Sequence, residues 1–127
     1  MRNYFLCLLP ALLISCSGKV EIAGFDQEKW MNDPNGCKGN RLSISTTLED
    51  NLELLKGLDQ SEIVELLGKP DRNELYKRNQ KFFYYQITPA EDCAASHKAE
   101  ENSYLSIRFS ATGFAREVLV YKEPTED

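Results

Sequence analysis

The spacing of apolar residues changes along this chain, and each kind of spacing predicts a kind of element. Tyr4 to Ile14 is a continuous apolar run of eleven residues. Asp26 to Met31 predicts a short helical turn, capped by Asp26 and weighted by Phe25 and Trp30. Leu42 and Ile44 alternate with polar neighbours across Arg41 to Thr46, which predicts an extended segment. Thr46 and Glu49 have capping-box spacing, and Leu48, Leu52 and Leu55 follow at helical spacing, predicting a short helix that ends at Gly57. Asp59 and Glu62 repeat the box, Ile63, Leu66 and Leu67 share one helix face, and Gly68 with Pro70 closes the second helix. Only Leu58 separates Gly57 from the Asp59 cap, so the two helices must turn sharply and share an apolar face.

Downstream the period becomes two. Lys81 to Thr88, with Phe82, Phe83, Tyr84, Tyr85 and Ile87, predicts an aromatic strand with apolar bulk on both faces. Tyr104 to Ser110 predicts a strand with Leu105, Ile107 and Phe109 inward. Ala111-Thr112-Gly113 is a hairpin turn, and Ala115 to Tyr121 is a third strand. Helices followed by consecutive strands define an α+β class: two short helices packed on a three-stranded antiparallel sheet. Asn32-Asp33-Pro34-Asn35-Gly36 carries dense turn chemistry without the alternating ligands and terminal glutamate of a calcium loop. Pro89 to Asn102 is expected to be a long loop, part of it helical.

The 127-residue length gives room for one domain. Arg2 before the apolar run and a small residue at its end give residues 1–15 the form of a secretory signal peptide. Eleven helical residues rise about 16 Å, roughly half a hydrocarbon core, so the run is too short to span a membrane comfortably. Leu13-Ile14-Ser15-Cys16 resembles the lipobox of bacterial lipoproteins. That resemblance implies cleavage before Cys16, a diacylglycerol on its sulfur, and usually acylation of the new amino group with a fatty acid such as palmitate. Two or three acyl chains make a stable anchor where a single chain is marginal. By the same resemblance Ser17 lacks the aspartate that retains such proteins at the inner membrane. The expected location is therefore the outer membrane, lipid-anchored and facing the periplasm. Residues 16–24 read as a lipidated tether, 25–123 as the single domain and 124–127 as a frayed tail.

Of four cysteines, Cys7 leaves with the signal and Cys16 is taken by lipid, which leaves Cys37 and Cys93. An exported protein favours their pairing as a disulfide. Two other roles stay open for them. A metal site needs two further ligands at suitable spacing, with His97 the single histidine. A cysteine nucleophile paired with His97 needs an orienting residue and an oxyanion segment, and neither stands out.

The stretch Gly57-Leu58-Asp59-Gln60-Ser61-Glu62-Ile63-Val64-Glu65-Leu66-Leu67-Gly68-Lys69-Pro70 resembles the signature of the BamE (SmpA/OmlA) family of small outer-membrane lipoproteins. The likeness covers about residues 48–121 and includes the lipobox and the aromatics Phe82 to Tyr85. Leu58 stands where that family usually has methionine, and Asp59 where it has threonine or serine. Gly24 to Arg41 and the loop holding Cys93 are additions. The resemblance implies a two-helix, three-strand unit, shared with β-lactamase inhibitor proteins, and a protein-binding role in an outer-membrane assembly.

Removing residues 1–15 takes away Arg2 and no acid, leaving 14 basic and 20 acidic residues, interleaved throughout. Binding to phosphate backbones needs clustered Lys and Arg, so nucleic acid is excluded as the expected partner. The expected function is a non-enzymatic envelope lipoprotein that binds another envelope protein, without cofactor or metal. Tyr84, Tyr104 and Tyr121 are the candidate contact residues. The alternative is an inhibitor or small-ligand binder using the same sheet face. Glu91, Asp92, Cys93 and His97 lie close in sequence but form no catalytic constellation, so an enzyme is not expected.

Overall fold

The computed structural model describes residues 20–93 and 101–124. The expected signal segment, Cys16 and the first residues of the tether lie outside the described residues, as do His97 and the chain end at 125–127. Three short helices, α1 (Gln27–Met31), α2 (Asn40–Glu49) and α3 (Gln60–Leu67), precede four strands. These are β1 (Arg72–Tyr76), β2 (Gln80–Gln86), β3 (Glu101–Phe109) and β4 (Ala115–Pro124), joined in chain order as one antiparallel sheet. The class is α+β, with helices on one face of the sheet.

The expected capping chemistry is present at two helices. Asp26 accepts a hydrogen bond from the Lys29 amide at the start of α1. At α3, Asp59 accepts from the Glu62 amide while the Glu62 carboxylate accepts from the Asp59 amide, and Ile63, Leu66 and Leu67 are buried on one face. Gly68 ends the helix at φ +79°, a left-handed value that a side chain would oppose.

The region from 40 to 55 departs from the sequence reading. Arg41 to Thr46 is helical, not extended, and Thr46 lies inside α2. Its buried positions are Arg41, Ser45 and Leu48, with Ile44 partly buried, which is helical spacing. Two of those four residues are polar, so apolar periodicity could not reveal the face. The helix starts because Asp33, buried and upstream in sequence, accepts from the amides of Lys38 and Arg41. Leu52–Leu55 then forms a separate 3₁₀ turn whose Leu55 is buried. Residues 16–24 were expected to stay out of the core, yet Ile22 is buried and Val20 packs against it.

The sheet has four strands, where three were expected. The extra one, β1, pairs with β2 from Arg72 opposite Tyr84 to Tyr76 opposite Gln80. All five of its residues are exposed, Leu75 at 73% and Tyr76 at 54%, so no burial pattern marks it in the sequence. On the helix side of the other strands, Phe83, Tyr85, Leu105, Ile107, Phe109 and Val118 are buried with the helix leucines and Trp30 in one core.

Cys37 and Cys93 stand at bonding distance, S–S 2.01 Å, across 56 residues. Their junction is reinforced where the Asn32–Gly36 turn meets the loop after β2, since Asn35 O accepts from the Ala90 amide. Gly36 is required there: a Cβ would come within 2.8 Å of both the Ile87 and Thr88 carbonyl oxygens.

Candidate functional site

Alternation sends every second strand residue to the face away from the helices. On that face the register sets Arg72 beside Tyr84, Glu74 beside Phe82, and Tyr104 beside Tyr121. The result is an unbroken row of aromatic rings across all four strands. Tyr76 meets Phe82 edge-on at 5.7 Å, Phe82 stacks with Tyr84 at 5.9 Å, and Tyr84 meets Tyr104 edge-on at 5.9 Å. Tyr104 then stacks with Tyr121 at 5.3 Å. These separations are those of favourable aromatic pairs, so each ring is held by its neighbours without a covering layer.

The three tyrosines expected to contact a partner are therefore brought together as one surface. Tyr76 and Phe82 extend it, and the sequence reading missed both. Phe82 shares strand parity with Tyr84, which was a usable signal; Tyr76 lies on the strand that periodicity did not mark. Together with Glu74, Leu75 and Ser106, these aromatics line a groove of about 440 Å³, open to solvent.

Charge is distributed unevenly along the row. The Arg72 guanidinium sits 4.7 Å from the Tyr84 ring centre and 5.8 Å from that of Tyr104, within cation–π range of both. Partial burial raises the Tyr84 hydroxyl above its ordinary value, and the nearby Glu74 carboxylate pushes it the same way. Burial likewise raises Tyr104, followed by Glu123 and Tyr121. Both phenols are thus neutral donors near carboxylates. Arg108 faces Glu117 at 3.7 Å.

The expected disulfide residues lie elsewhere, at the junction of the 34–36 turn with the loop after β2. Glu91 and Asp92 are exposed in that loop. Among the described residues no group of three or more His, Cys, Asp or Glu side chains is placed to hold a metal ion, and no helix is long and apolar enough to cross a membrane. No family model, no curated protein and no solved structure matches the chain.

Proposed function

We propose that this chain is a non-enzymatic, lipid-anchored protein of the outer membrane, facing the periplasm, whose open sheet face docks another envelope protein. The observation that carries the reading is the aromatic row from Tyr76 to Tyr121, solvent-facing on a sheet whose opposite side packs against the core along β2, β3 and β4. Contiguous exposed apolar surface of this kind marks interaction sites, and tyrosine supplies large contact area at low entropic cost. The anchor rests on the lipobox-like Leu13 to Cys16, and the assembly role on the BamE-like stretch from Gly57 to Pro70. The alternative of a small-ligand binder is less well supported, because an open groove surrounds less of a small molecule than the enclosed pockets that hold them.

The test is affinity isolation from crosslinked envelopes with the wild-type chain and with Tyr104→Ala/Tyr121→Ala. A partner recovered with the wild type and lost with the variant supports the reading. Identical recovery with both, or nothing above background with either, contradicts it.

A further inference from the structure

The groove's geometry selects among the segments a partner protein can offer. The main-chain groups of β2 and β3 are engaged in ladders on both sides, so a segment lying across them finds no strand edge to extend. Recognition on this face must come from side chains. A polyproline-type segment suits that condition, because it forms no backbone ladder and its carbonyls remain available to hydrogen-bond donors. Tyr76, Tyr104 and Tyr121 carry phenols along the row, the Tyr84 hydroxyl faces the Glu74 carboxylate, and the rings offer flat surfaces to pyrrolidine rings. The row crosses three inter-strand gaps, about 14 Å, which a chain rising about 3.1 Å per residue covers with four to five residues.

Charge then narrows the choice. Glu74 and Glu123 flank the two central tyrosines, and neither forms a salt bridge among the described residues. Arg108 is matched by Glu117, and Arg72 lies over the Tyr84 ring. A cationic side chain on the occupant meets carboxylates and aromatic faces together, whereas an acidic one meets Glu74 and Glu123 with only Arg72 to offset them.

Resting on the docking face above, we propose that this groove binds an extended proline-rich segment carrying arginine or lysine, presented by the partner protein. Fluorescence anisotropy on the full mature chain in detergent tests it, with labelled peptides of repeated Pro-Pro-Arg, Gly-Ser-Arg and Pro-Pro-Glu. Pro-Pro-Arg is expected to bind about tenfold more tightly than either control. Tyr104→Ala and Tyr121→Ala should each weaken it about tenfold with circular dichroism melting curves close to wild type. Glu74→Gln/Glu123→Gln should weaken it severalfold and flatten its salt dependence. Equal binding of Gly-Ser-Arg reduces the effect to charge alone and overturns the proposal, as does equal binding of Pro-Pro-Glu or no binding at all. If no peptide binds while partner recovery still depends on Tyr104 and Tyr121, the peptide inference fails and the docking face stands. If those tyrosines affect neither measurement, both fail.

Discussion

Arg41 and Asp71, thirty positions apart, meet at 2.6 Å with side chains only 2% and 6% exposed. The same guanidinium donates to the Trp30 and Gln86 carbonyls and lies 4.9 Å from the Trp30 ring centre. Asp71 also accepts from the amides of Asn35 and Gln86. One ion pair thus ties α1, the turn after it, α2, the entry to β1 and the end of β2, which fixes the sheet from behind while its aromatic face stays open.

Removing one partner of this pair leaves an uncompensated buried charge. Asp71→Ala is expected to lower unfolding free energy by about 3–5 kcal/mol, and Arg41→Met/Asp71→Leu by less than Asp71→Ala alone. Urea unfolding followed by the fluorescence of Trp30, the chain's single tryptophan, measures both. A loss below about 1 kcal/mol for Asp71→Ala would show that the network does not hold these elements together.

Much of this architecture was legible in the sequence where a residue's role is local. The Asp59–Glu62 box, the Gly68 stop and the alternation of Leu105, Ile107 and Phe109 each depend on neighbours a few positions away, and all three are present. What stayed hidden depends on distant partners. The start of α2 is capped by Asp33 and its buried face includes Arg41, a residue that composition places outside a core. Strand β1 exists by pairing with β2 and buries none of its residues. Tyr84, Tyr104 and Tyr121 were visible as outward positions, whereas their union with Tyr76 and Phe82 is a property of strand order.

The Cys37–Cys93 bridge closes a loop of 56 residues, for which chain entropy gives a stabilisation of up to about 4 kcal/mol. Cys37→Ala/Cys93→Ala is expected to unfold at lower urea by about 2–4 kcal/mol, and adding reductant should no longer change its midpoint. Wild-type protein whose midpoint ignores reductant, with two free thiols titrated after unfolding, would remove the bridge from the account.

Tyr85 is buried and donates its hydroxyl to the Gly68 carbonyl at 2.8 Å. Burial pushes its ionisation above the ordinary value near 10, with Arg41 opposing the shift and Asp71 adding to it. The unfolded chain therefore releases this proton first as pH rises, so the associated stability is complete below about pH 10 and declines above it. Urea midpoints measured across alkaline pH should fall from about pH 10 upward, and less steeply in Tyr85→Phe. That variant should also lose about 1 kcal/mol at neutral pH with the missing hydrogen bond. The same alkaline slope in both proteins would assign the decline to other groups.

The lipidation proposed at Cys16 predicts that cells expressing the full chain incorporate labelled palmitate and yield a mature protein beginning at residue 16. Cys16→Ser should take up no label and should yield no mature protein beginning at residue 16, since the sulfur that accepts the lipid is gone. Unlabelled wild-type protein, or a mature start elsewhere, would contradict the anchor.

The claim at the centre is that the sheet's open face meets another protein. A photo-crosslinking residue placed at Tyr121 or Tyr76, compared with one at exposed Val64 on α3, reads this directly in intact cells. The account predicts a discrete crosslinked protein from both sheet positions, lost when Tyr104→Ala is added, and none from the α3 position. Crosslinks from Val64 alone, or none from any position, would contradict it.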